Sequence, residues 1–168
     1  MIHDTRATGR RSAPTAGEKL LLFAIRGWAA MRQAGERPHD QLAAAIAQRA
    51  SSRTAALFIA WIQAVESASR RPIRIQCACC GGMSNDEQRL VLATGVAPIA
   101  MDMGERLLEP ITLDAREVMV LGRALGASLA AAGLPLPARL TDEVDDDKGT
   151  VHADHTWNGP APVRATLH

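Results

Sequence analysis

Apolar positions recur at helical spacing along most of the first 135 residues. Leu21, Ile25, Trp28 and Met31 or Arg32 share one face, with Ala24 between them. Thr15-Ala16-Gly17-Glu18 is a capping-box pattern in front of them, and Gly35 and Pro38 follow. A first helix is predicted over about 16–34. Asp40 is placed to cap a second, over about 41–50, with Leu42, Ala45 and Ile46 as its stripe. Ser51 and Ser52 mark a break before a third, about 53–69. There Leu57, Phe58, Trp61, Ile62 and Val65 make a wide buried face. The second and third helices are also readable as one bent helix.

The pattern then changes. Arg70-Arg71-Pro72 ends the helix, and Ile73-Arg74-Ile75-Gln76-Cys77 alternates apolar and polar, the period of an extended segment. Only short proline-bearing stretches, 97–100 and 110–112, suggest themselves as strand partners, so a lone segment or at best a two-stranded ribbon is expected. Ser84-Asn85-Asp86-Glu87 is a second capping box, opening a helix that Gly95 should stop near Thr94. Asp102 to Glu105 repeats the pattern before a short helix ending ahead of Pro110. Asp114 and Glu117 cap the last, to about Ala132, with Leu113 and Val118 as a hydrophobic staple and Gly133 and Pro135 beyond.

These elements predict an all-α protein: a single compact bundle of five or six helices with one short extended segment, over about 15–135. Residues 1–14 and 136–168 lose periodicity and are expected to be a disordered N-terminal tail and a disordered acidic and polar C-terminal tail. Composition supports the helical reading. Aromatics are 3% with no Tyr, so the core must be Leu, Ile, Val, Met and Ala, and Ala-rich cores need close helix packing. A net charge of +1 argues against a nucleic-acid binder or a polybasic membrane anchor. No apolar run reaches the roughly 18 residues of a membrane span. Leu20 to Ile25 is short for a signal-peptide core and is flanked by Lys19 and Arg26.

Chemistry concentrates at one place. All three cysteines fall in Cys77-Ala78-Cys79-Cys80, followed by Gly81-Gly82. So few thiols, so close together, cannot staple a fold, and a reducing cytoplasm with free or metal-bound thiols is expected. The glycines let the chain turn tightly, and the N-terminus of the helix behind them favours thiolate. Four readings follow. The first is a soft metal, Zn or Cu(I), or an iron–sulfur cluster, held by Cys77, Cys79 and Cys80. A closed Zn site takes four ligands, so His39, His152, His155 or a second subunit would have to complete it. Met83, Met101 and Met103 would suit Cu(I), though Met at such spacing is commonly core. The second is redox chemistry: the C-x-x-C between an extended segment and a helix resembles the thioredoxin arrangement, without that fold's alternating strands and helices. The third, a Cys nucleophile with a His base, lacks a well-placed His. The fourth is packing. Cys77 continues the face of Ile73 and Ile75, so it should be buried, which leaves Cys79 and Cys80 as the stronger functional candidates.

Other features read more simply. Gly122-x-x-x-Gly126-x-x-x-Ala130 is a smooth stripe suited to close helix crossing within the domain, or to a homodimer. The acidic run 142–147 reads as a solvating tail, and Trp157 as an isolated aromatic placed there by chance, with docking to a protein partner as the alternative. No catalytic constellation stands out, so a non-enzymatic metal-binding or redox-sensing protein is expected. The alternative is a helical interaction or assembly module in which the cysteines only pack.

Read in order, Leu20-Leu21-Leu22-Phe23-Ala24-Ile25-Arg26, Arg70-Arg71-Pro72 and Cys77-x-Cys79-Cys80-x-x-Met83-Ser84-x-x-Glu87 carry a likeness. Over about 18–133 the chain resembles a small uncharacterised alphaproteobacterial helical family, a domain of unknown function. Its members share a Leu-rich first helix and a cysteine cluster before a Met-Ser/Thr-x-x-Glu helix start. The resemblance implies the helical fold and the cluster; it assigns no catalytic residue.

Overall fold

The computed structural model describes residues 13–138 and the backbone of the two-residue strand Thr156–Trp157. The expected disordered ends fall largely outside these residues. So do His152, His155 and the acidic run 142–147. Six helices make up the described chain: α1 Ala16–Gln33, α2 His39–Arg49, α3 Ser52–Ala68, α4 Asn85–Val96, α5 Met101–Leu108 and α6 Ala115–Ala131. The protein is all-α, as the periodicity predicted.

The helix ends follow local chemistry with some corrections. Thr15 and Glu18 form the capping box of α1, and Gly35 takes the left-handed conformation (φ 75°) behind it. Asp40 lies in the first turn of α2 rather than capping it; Pro38 precedes that helix and makes no side-chain cap. Ala50, at φ −136° and ψ −89°, separates α2 from α3, so these are two helices, and Ser51 caps the second by accepting from Thr54 N at 3.0 Å. Asp102 sits inside α5 and does not cap it. Asp114 caps α6 through Arg116 N, without a reciprocal Glu117 contact, and the expected staple is missing because Leu113 is 73% exposed.

α3 lies between α2 and α6; α4 packs on α5, α6 and α1, and α1 closes onto α2. Trp28, Phe58, Trp61, Val65, Val118, Met119 and Leu125 fill the interior. The glycine stripe of α6 is used within the domain. A Cβ at Gly126 would come within 3.1 Å of the Thr94 carbonyl of α4, and one at Gly122 within 3.4 Å of the Trp61 indole. Gly95 does not stop α4, which runs on to Val96. Its small size serves a different purpose: Leu134 to Pro137 passes over the helices, and a Cβ at Gly95 would meet the Pro137 carbonyl at 2.8 Å. Gly17 gives the same clearance to the carbonyls of Leu134 and Pro135. Packing therefore continues to Leu136, just beyond the expected boundary at 135.

The extended segment forms β1, Ile73–Arg74, antiparallel to β2, Thr156–Trp157, with Ile73 opposite Trp157 and Arg74 opposite Thr156. The partner comes from the far end of the chain rather than from 97–100 or 110–112. The latter stretch instead bridges the end of α3, Thr112 facing Ser69. Among the described residues no helix is long and apolar enough to cross a membrane.

Candidate metal centre

The alternation that starts at Ile73 buries Ile73 and Ile75 at 1% and 4% exposure, then stops. Cys77 was expected to continue that face into the core. Instead it is half-buried, like Cys80, while Cys79 is exposed. The reason is the turn. Cys80 N donates to the Cys77 carbonyl at 3.1 Å, closing a reverse turn over Ala78 and Cys79 that swings the Cys77 side chain out of strand register. The expected full burial of Cys77 is therefore not met.

An ion pair holds both sides of this turn. Arg26 of α1 donates from Nε to Glu87 Oε1 at 2.7 Å and from Nη2 to Glu87 Oε2 at 3.1 Å. The same guanidinium donates from Nη1 to the Cys80 carbonyl at 2.9 Å and from Nη2 to the Gly82 carbonyl. Glu87 also accepts from Gln76 N at 3.2 Å and Ser84 N at 2.8 Å. Each carboxylate oxygen therefore takes two hydrogen bonds, which is its full acceptor capacity. A fully buried carboxylate is tolerable only when paired and satisfied in this way. A second clamp lies beside it. Arg71 grips Asp86 bidentately at 2.7 and 2.8 Å, and Asp86 also accepts from Arg74 N at 2.8 Å. The residues just before the loop and just after it are thus tied to the first turn of α4.

The three sulfur atoms lie within 4.8 Å of one another. A tetrahedral Zn site with Zn–S bonds of about 2.3 Å places its sulfurs roughly 3.8 Å apart. Side-chain rotation of about 1 Å would close that difference, and the donor set is the soft one that Zn and Cu(I) prefer. The thiols also act on each other. Hydrogen bonds from the Cys79 and Cys80 thiols, with help from their backbone N–H groups, lower the Cys77 pKa. The Cys80 thiol is pushed up to about 11, chiefly by its hydrogen bond to Cys77 and then by desolvation and the neighbouring negative charge. The causes named for the shift at Cys77 lie within the loop itself. Arg26 is held above its usual range first by its hydrogen bond to Glu87, and charge on Cys80 and Cys77 adds to that. By reciprocity the guanidinium favours thiolate at both cysteines.

The other suggested ligands do not join this group. His39 stands at the start of α2, with its ring edge-on to Trp28 at 5.1 Å and its Nε2 2.8 Å from the Gln63 amide. Met83 and Met101 pack against the hydrophobic core. Met103 lines a shallow cavity beside Pro98 and Arg106. Arg26 and the second role of Glu87 escaped the sequence reading. In the sequence Glu87 reads as a capping residue, and Arg26 only as the charged flank of a Leu-rich run.

Comparison of the chain with family models, curated proteins and solved structures finds no match.

Proposed function

We propose that the protein binds a soft metal ion, Zn or Cu(I), through Cys77, Cys79 and Cys80, without being an enzyme. The observation that carries this is the convergence of three thiols on a turn anchored from both sides. Holding the backbone in place before the metal arrives lowers the ordering cost of binding. Cu(I) is served by three thiolates alone, whereas Zn would keep an open fourth position for water or a ligand from elsewhere. Redox sensing by the same thiols is the second reading, supported by the ionisable Cys77 beside two sulfur neighbours. Kinship with the alphaproteobacterial family belongs to this proposal and rests on the motif residues alone.

The test is anaerobic purification followed by metal analysis and competition against a chromophoric chelator. The wild-type chain should bind one Zn or Cu(I), and each of Cys77→Ser, Cys79→Ser and Cys80→Ser should weaken binding at least about tenfold, as the loss of one ligand bond would. Wild-type binding no tighter than that of the triple Ser variant would overturn the proposal.

A further inference from the structure

We infer that oxidation of this loop by a hydroperoxide joins Cys77 to Cys80, leaves Cys79 as the free thiol, and thereby ejects the bound metal. The inference rests on the metal reading above and adds which sulfurs are oxidised and what that does to the ion.

The choice of pair follows from geometry. Cys79 and Cys80 are adjacent, and the peptide bonds among the described residues are trans, which fixes neighbouring Cα atoms about 3.8 Å apart. That is shorter than the roughly 4.4–6.8 Å an unstrained disulfide spans, so a Cys79–Cys80 bond is disfavoured. Any favoured disulfide must therefore include Cys77. Its partner is selected by the turn. The hydrogen bond from Cys80 N to the Cys77 carbonyl at 3.1 Å brings those two residues together as the first and last of a reverse turn, with Cα atoms less than about 7 Å apart. Arg26 and Glu87 hold both ends, through the Cys80 carbonyl at 2.9 Å and Gln76 N at 3.2 Å. Cys79 sits inside the turn with its side chain in solvent. The three sulfurs already lie within 4.8 Å of one another, so the choice rests on the backbone: the turn's hydrogen bond and its two clamps fix Cys77 against Cys80, while Cys79 lies between them inside the turn.

The chemistry balances with hydrogen peroxide as the oxidant. One of the two sulfurs attacks a peroxide oxygen, the O–O bond breaks, and the sulfur becomes a sulfenic acid as the first water leaves. The second sulfur attacks the first, expelling the sulfenic oxygen as the second water. Two electrons pass from the sulfurs to the peroxide; in the metal-free loop the two thiol protons end in water, and in the loaded site, where the sulfurs are thiolates, solvent supplies those two protons. A disulfide sulfur is no longer a thiolate donor, so the site drops from three anionic ligands to one, and the ion is released.

Zn is the suitable probe because it has no redox chemistry of its own. The full chain is loaded anaerobically with one equivalent of Zn and treated with one equivalent of hydrogen peroxide beside a metal-free sample. Zn release is followed with a chromophoric chelator. Remaining thiols are blocked with N-ethylmaleimide, and the peptide from Ile75 to Arg89 is fragmented by mass spectrometry. Stoichiometric Zn loss, a maleimide label on Cys79 alone, and recovery of binding with dithiothreitol are the expected results. Cys79→Ser should still form the bond, and Cys77→Ser should not. Zn retained through oxidation, or a bridge that includes Cys79, would overturn the inference while leaving the metal reading intact. A chain that binds no Zn yet forms the Cys77–Cys80 bond would overturn the metal reading and the release step together, and uphold only the choice of sulfurs.

Discussion

Two seams of this bundle are built from different materials. Between α3 and α6 the contact is apolar: Phe58, Trp61 and Val65 face Val118, Leu125 and Leu129, all at 2% exposure or less. Gly122 lets Trp61 approach the α6 backbone, and a single buried hydroxyl pair, Thr54 and Ser128 at 2.9 Å, interrupts the apolar surface. Between α1 and the start of α4 the join is ionic. Arg26 and Glu87 meet with side chains 10% and 0% exposed and bind four backbone groups between them. The first seam is non-directional and spread over many side chains. The second depends on two, and it is the one that carries the thiols.

The difference predicts separable failures. Phe58→Ala should cost about 3–5 kcal/mol in urea unfolding by leaving a cavity between α3 and α6. Thiol reactivity in the folded protein should be unchanged. Glu87→Gln should cost about 3 kcal/mol, because it leaves Arg26 buried without its counter-charge. It should also free the loop, so that Cys80 alkylates faster in the native state. The double variant Arg26→Met/Glu87→Leu should recover part of the stability lost by the single change but none of the loop order. Stability restored together with slow alkylation would mean the ion pair does not organise the turn.

A smaller effect tests the crossing of Leu134 to Pro137 over α4. Alanine would ordinarily favour a helix interior over glycine by about 1 kcal/mol. At Gly95 the added Cβ would stand 2.8 Å from the Pro137 carbonyl, so Gly95→Ala should instead destabilise, by about 1–3 kcal/mol. A gain in stability would show that this segment does not seat on the helix. The smallest perturbation is pH. Cys77, lowered by its neighbours, should alkylate with a midpoint below the usual thiol value, and Cys80 with one near 11. Between those limits Cys77 should label first. Coincident midpoints for the two would contradict the hydrogen-bonded trio.

The apolar seam was open to reading from sequence because its information is periodic. Leu21, Ile25 and Trp28, and Phe58, Trp61 and Val65, declare their helix faces by spacing, and Thr15 and Ser84 declare the helix starts. The ionic seam was not, since nothing in the spacing of Arg26 and Glu87, 61 residues apart, says that they meet. The pairing of Ile73 with Trp157 was hidden for the same reason. Two local readings failed through tertiary context. Gly95 resembled a helix stop and was a clearance for the crossing chain. Cys77 resembled the next residue of a buried strand face, but the reverse turn ended the strand first. The cysteine run itself was legible as a cluster; that its three sulfurs converge is a property of the turn and its two clamps.

The most direct test of that convergence is a cobalt titration of the reduced chain under anaerobic conditions, with Co(II) standing in for Zn. One equivalent should produce a near-ultraviolet thiolate-to-cobalt charge-transfer band, with an intensity matching three sulfur ligands and visible bands of tetrahedral shape. Zn should then displace the cobalt and abolish both. A spectrum that stays that of aqueous cobalt, with all three thiols still titratable, would contradict a metal centre at Cys77, Cys79 and Cys80.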